Sequence, residues 1–219
     1  MDVSAILYGA SIWVLPLLFA ITFYEAAHGY VAWRLGDDTT KNMGRVTFNP
    51  LRHIDRFGTV ILPVLFGYSK PVPVNFQRLK RPRRDMVWVA VAGPATNIAL
   101  ALASGFLFHL AGAMPAFVGE WLGHNLRNSI LINLVLAVFN MFSLPPLDGG
   151  RVAVGLLPRN LAIRLARLER HGLMILIGLL FVMPWVGQML GVNLNLFAWF
   201  ILPPVEALFD VVTLIAGLR

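Results

Sequence analysis

Two short stretches of this 219-residue chain hold the residue types that could do chemistry: Tyr24-Glu25-Ala26-Ala27-His28, and the run from Asn140 through Pro145-Pro146 to Asp148-Gly149-Gly150. In a helix the first and fifth positions of the former share a face one turn apart, which is metal-chelating spacing. In a zinc-binding HExxH helix both histidines hold the metal. The glutamate after the first takes a proton from zinc-bound water, which the metal has made acidic. Glu25 and His28 fit those roles, and Tyr24 stands where the first histidine belongs. An E-x-x-H alone recurs by chance in many helices. This one lies in an apolar run, where Glu and His are costly unless paired, so a functional reading is the default.

An Asp-Gly-Gly after prolines is commonly a turn at a helix end. Its depth points elsewhere. His28 lies six residues before Arg34, about 9 Å at helical rise. Asp148 lies three residues before Arg151. If both basic residues mark the same membrane face, His28 and Asp148 meet at one level. With no cysteine in the chain, any metal must be held by His, Asp, Glu or Tyr.

The elements that must position these groups follow from composition. The chain is 58% hydrophobic and 13% charged, more apolar surface than one soluble core can hide. Stretches free of Asp, Glu, Lys and Arg run for 22 residues after Asp2, 34 after Asp85, 20 after Arg127 and 35 after Arg170. Each is long enough to cross a bilayer core of about 30 Å, and lipid demands helix. The expectation is one all-α integral membrane domain over residues 1–219, with about five transmembrane helices near 6–33, 86–112, 128–145, 172–190 and a last segment to 218. That segment is expected to become helical only at Pro203-Pro204, since proline suits a first turn. An apolar N-terminus carrying Asp2 and running into the motif argues against a cleaved signal peptide.

Basic residues cluster in 34–56, 70–84 and 151–170, which places those segments on the cytosolic side of a cell membrane and the N-terminus outside. The net charge of +7 is thereby assigned to basic loops rather than to nucleic-acid binding. The apolar run 58–68 is too short to span, so a re-entrant or interfacial hairpin is expected there. Its flanks, Gly44-Arg45-Val46-Thr47-Phe48 and Lys70-Pro71-Val72-Pro73-Val74-Asn75, suit extended chain and a small cytosolic-side β element.

With these motifs assembled, the chain resembles the site-2 protease family of zinc-dependent intramembrane proteases in its compact prokaryotic form. The resemblance rests on E-x-x-H at Glu25 and His28 followed by Gly29-Tyr30. It continues through Gly44-Arg45-Val46-Thr47-Phe48-Asn49-Pro50-Leu51 with His53-Ile54-Asp55, the 70–75 segment, Gly93-Pro94-Ala95-Thr96-Asn97, and Asn140 to Gly149. It implies one zinc ion on His28 and Asp148, with Tyr24 at the remaining ligand position and Glu25 as general base and acid. Asn140 would hold the scissile carbonyl or oxyanion, or else bond between helices. Val46 and Val74 would pair with an unwound transmembrane substrate. Gly93 and Asn97 would touch that substrate or simply pack helices closely. A neutral phenol, with a pKa of about 10, is a poor zinc ligand. The expectation is therefore an impaired or inactive protease, with a non-catalytic pseudoprotease that binds transmembrane partners as the alternative.

His53 could replace the missing ligand if the hairpin folds back. His109, His124 and His171 are expected near span ends as interfacial groups. Glu206 and Asp210, one turn apart, are read as a partly solvated helix face.

Overall fold

A computed structural model describes residues 2–52 and 73–219. The hairpin expected over 58–68, together with His53 and the first half of the 70–75 segment, lies outside the described residues.

The first apolar run forms α1, Val3–Leu35. Asp2 caps it by accepting the Ser4 N–H at 3.0 Å, and Gly36 ends it in a left-handed conformation with φ 118°. At 1.5 Å per residue α1 is about 50 Å long, enough to cross a bilayer core and project beyond it. A short turn of helix, α2 (Thr39–Asn42), follows. Pro82 starts α3, Pro82–Ala111, and Pro115 precedes α4, Ala116–Asn140. The chain unwinds before Pro145-Pro146 and begins again in α5, Asp148–Leu156. Then come α6 (Arg159–Arg167) and α7 (Glu169–Leu190), which contains a π-helical turn over Gly178–Val182. α8 (Leu196–Phe200) and α9 (Leu202–Ile215) complete the chain.

Four helices among the described residues are long and apolar enough to cross a membrane: α1, α3, α4 and α7. The protein is thus a helical membrane protein. Two boundaries differ from expectation. The third span runs over Ala116–Asn140 rather than 128–145, because its polar residues find partners. His124 Nδ1 meets the Tyr8 hydroxyl at 2.8 Å, Trp121 Nε1 donates to Ser11 Oγ at 2.9 Å, and Asn128 Nδ2 donates to the Ile12 carbonyl at 2.8 Å. Such bonds let an interrupted hydropathy pattern remain one helix. The last segment breaks at Ile201 into α8 and α9, and α9 at 14 residues is shorter than the four spans. Its prolines do sit in the first turn, where their missing N–H costs nothing.

α3 packs against α4 and α1. Small residues, Ala101, Ser104 and Ala137, are buried there, Ser104 Oγ meets Ser129 Oγ at 2.8 Å, and Gly105 faces Val212 and Ala216 at the end of α9. Leu134, Ile130, Val205 and Val212 fill the space between α3, α4 and α9. No strand forms among the described residues: 46–48 is a bend and 73–75 irregular chain. A ladder needs two partners, and residues 70–72 of the expected pair are not described.

The described parts of the three basic segments gather at one end of the bundle. The Lys80 N–H donates to the Leu35 carbonyl at 3.1 Å, joining the end of α1 to the approach to α3. A Cβ on Gly155 would stand 3.1 Å from the Arg83 carbonyl oxygen, so α5 ends against the first turn of α3. At the far end His109 Nε2 donates to the Ala216 carbonyl at 2.7 Å. His109 and His124 are therefore helix-joining groups near span ends. His171 is exposed beside Arg170.

Candidate metal centre

α1 carries Tyr24, Glu25 and His28, with Glu25 and His28 buried. α5 carries Asp148 at its first position, also buried. The restart of the helix at Asp148 depends on the glycines after it. A Cβ on Gly149 would stand 2.6 Å from the Phe142 carbonyl oxygen and closer still to the Met141 carbonyl, and one on Gly150 would run into Pro145. The first turn of α5 therefore lies directly on the chain that leaves α4. The Pro-Pro turn reverses the chain, and the glycines let the reversed helix come close enough to aim a carboxylate at α1.

His28 Nδ1 is 2.7 Å from the Val89 carbonyl oxygen of α3. A carbonyl only accepts, so Nδ1 carries the proton and Nε2 presents its lone pair on the other side of the ring. Nε2 lies 3.1 Å from Asp148 Oδ2. A lone pair against a carboxylate oxygen is stable only with a proton or a metal cation between them. Two ligands of a tetrahedral zinc ion with bonds of about 2.0–2.1 Å stand about 3.3 Å apart, so these two atoms fit adjacent corners. The Val89 carbonyl supplies the outer partner that a metal-bound imidazole ordinarily has.

The Tyr24 hydroxyl donates a very short hydrogen bond to the same Asp148 Oδ2. Its ring stands edge-on to His28, with centroids 4.5 Å apart. The structure thus brings Tyr24, His28 and Asp148 to one point. The third position holds a phenol whose proton is committed to the carboxylate, and among the described residues no group of three or more His, Cys, Asp or Glu side chains could hold a metal.

Gly93 of α3 closes this point from the other side. A Cβ there would be 2.5 Å from Tyr24 Cε2 and would collide with His28 Nε2. One turn on, Asn97 is wholly buried, and neither its Oδ1 nor its Nδ2 has a hydrogen-bond partner among the described residues. Val46 packs on α1 beside the site, its Cγ2 3.3 Å from where a Cβ on Gly29 would be. Val74 packs farther along α1 with Ala32, Leu79 and Val89. Asn140 Nδ2 donates to the Leu136 carbonyl of its own helix at 3.0 Å, and among the described residues no hydrogen bond joins its side chain to the centre.

Two contributors escaped the sequence reading. Arg151 places Nη1 3.6 Å from Asp148 Oδ1 and its guanidinium over the Phe76 ring, 5.4 Å from the centroid. Its signal was the i,i+3 spacing from Asp148. Asp37 is completely buried and joins the end of α1 to the 73–75 segment, accepting from the Asn75 N–H at 2.6 Å and the Thr39 hydroxyl at 2.5 Å. Only its place just past a helix end hinted at this.

A helix-borne E-x-x-H facing a buried aspartate, set among membrane-crossing helices, belongs to the metalloprotease class of membrane proteins. The curated relatives bear names of that class. The chain is 40% identical over 187 residues to "Putative zinc metalloprotease YwhC" of Bacillus subtilis, covering 83% of this chain and 85% of that one. It is 31% identical over 139 residues to "Putative zinc metalloprotease Rip2" of Mycolicibacterium smegmatis, and 30% over 143 residues to the Rip2 of Mycobacterium tuberculosis. Both matches cover 60% of this chain and 52% of the relative. No family model and no solved structure matches the chain. The chain belongs to the family of these zinc metalloproteases, the site-2 protease type that its motifs resemble.

Proposed function

We propose that the chain is a site-2-type intramembrane metalloprotease, acting on transmembrane proteins, whose single-zinc site is weakened by Tyr24. The observation that carries this reading is the 3.1 Å approach of His28 Nε2 to Asp148 Oδ2, buried among membrane-crossing helices. Zinc held by these two residues would supply an acidified water and polarise the scissile carbonyl. Glu25, three residues before His28 on α1, would take the proton from the attacking water and return it to the leaving amine. Asn140, at the end of α4, holds the carbonyl oxygen once substrate draws its side chain from Leu136. Val46 and Val74 flank the path of an unwound substrate strand. Gly93 and Asn97 border that path from α3, Gly93 by letting the helix press against Tyr24 and His28, and Asn97 with an amide that has no partner among the described residues. The gathering of basic segments at one end supports a site toward the cytosol, an N-terminus outside and α8–α9 as a fifth membrane-embedded element.

The Tyr24–Asp148 hydrogen bond favours a second reading. It satisfies the carboxylate without an ion, as in a pseudoprotease that holds transmembrane partners without cutting them. Elemental analysis of the purified protein beside its Tyr24→His variant, with a cleavage assay on a transmembrane substrate, separates the two. Near-stoichiometric zinc and cleavage only in the variant are expected. Zinc-loaded Tyr24→His protein that cuts nothing would leave the pseudoprotease, and zinc in neither form would sink the metal reading.

A further inference from the structure

The start of α3 and the α5–α6 connection enclose a groove that the proteolytic reading does not use. Its volume is about 610 Å³, and its walls include Arg83, Arg84, Val87, Trp88, Leu156 and Pro158. The groove is held open by a fixed joint, since α5 meets α3 at Gly155 with no room for a side chain. Its chemistry is divided. Arg83 and Arg84 are exposed and make no hydrogen bond or ion pair among the described residues. The nearest carboxylate in sequence, Asp85, is buried and already accepts the Arg81 N–H at 2.7 Å. Beside these two exposed guanidinium groups stand two large apolar side chains turned outward, Trp88 at 57% exposure and Leu156 at 71%.

Unpaired guanidinium groups favour phosphate, which they can grip with paired N–H donors. Exposed tryptophan and leucine favour hydrocarbon. A soluble anion satisfies only the first. The two meet in one molecule at a membrane boundary, and the start of a membrane-crossing helix bearing Arg then Trp is such a boundary. The neighbouring helix agrees. α6 exposes Arg159, Arg164 and Arg167, exposes Leu161 at its flank and buries Ala162, the division of a helix lying along a headgroup layer.

We propose that this groove is a binding site for an anionic glycerophospholipid. The phosphodiester lies between Arg83 and Arg84, and the first acyl methylenes lie on Trp88 and Leu156. Occupancy pins α5, and with it Asp148, against α3. The site depends on neither zinc nor proteolysis, so it stands or falls apart from the proposed function.

The test is titration of the purified full-length chain in a non-ionic detergent with phosphatidylglycerol, phosphatidylcholine or glycerol 3-phosphate, read by thermal unfolding and native mass spectrometry. Phosphatidylglycerol is expected to give a saturable rise in unfolding temperature and a retained one-lipid adduct, both weakened by salt. The other two should give neither. R83Q/R84Q should raise the half-saturating lipid concentration at least about tenfold. R164Q/R167Q, on α6, should not. An equal response to glycerol 3-phosphate would make this a simple anion site, and an equal response to phosphatidylcholine a non-specific lipid surface. Either result overturns the proposal, as does full phosphatidylglycerol binding by a folded R83Q/R84Q protein.

Discussion

Where α3 and α5 meet α1 and the chain leaving α4, glycine serves as a contact surface, whereas at Gly178, in the middle of α7, it faces nothing. Gly93 presses its backbone against Tyr24 and His28, and Gly149 lies on the carbonyls of Met141 and Phe142. Gly178, in the π-helical turn of α7, has no heavy atom within 4 Å of the position its Cβ would take. Around it Met174, Phe181, Val182 and Trp185 are all exposed, as befits a helix whose neighbour is lipid. The same residue type therefore carries opposite meanings at different positions. In the first region helices approach closely enough to bring ligands from separate elements to one point. Around Gly178 the helix needs only to satisfy its own backbone and the solvent around it, while at its two ends Gly172 rests on Pro145 and Gly187 on Val192.

Four changes probe this contrast. Gly149→Ala should be the most damaging, because its methyl group meets backbone that cannot turn aside. A loss exceeding about 3 kcal/mol is expected, seen as failure to recover folded protein from detergent. A Gly149→Ala protein of ordinary stability would mean that α5 does not lie on the chain leaving α4. Next, Asp148→Asn in a Tyr24→His background should lower zinc affinity at least about a hundredfold while leaving helix content by circular dichroism unchanged. Unaltered zinc loading would remove Asp148 from the ligand set.

Gly93→Ala should cost about 1–3 kcal/mol, read as an earlier unfolding transition in micelles, because the aromatic side chains it meets can shift a little. In the Tyr24→His background it should also reduce zinc retention on dialysis, which simple loosening of distant packing would not do. The smallest effect is expected from Gly178→Ala. With space around it and a better helix former in place, stability should rise by up to about 1 kcal/mol. A clear loss there would show that the π-helical turn of α7 has a packing partner.

The candidate site was legible in its residues and partly in its placement. E-x-x-H on a helix and a carboxylate at matching depth were enough to predict that His28 and Asp148 meet. The reason is that charge at the membrane boundary fixes depth, and helical rise converts residue number into distance. The glycines after Asp148 serve to begin a helix against a turn rather than to end one. Less legible were the bounds of α4, where Glu120, His124 and Arg127 interrupt the apolar pattern yet lie within one helix. Hydropathy treats each polar side chain as if it were alone, whereas here His124 meets Tyr8, Trp121 meets Ser11 and Asn128 meets the Ile12 carbonyl.

By itself the sequence determined that the chain is helical and membrane-embedded, which residues could bind a metal, and that one of the expected ligands is a tyrosine. These follow from residue type and periodicity, which are local. Tertiary structure alone decided that the Tyr24 hydroxyl bonds Asp148 and that the Val89 carbonyl fixes the His28 tautomer. It also decided that Gly93 closes the site. Each joins residues on different helices, and such contacts depend on how closely two helices approach, a distance set by the packing between them rather than by either strand of sequence.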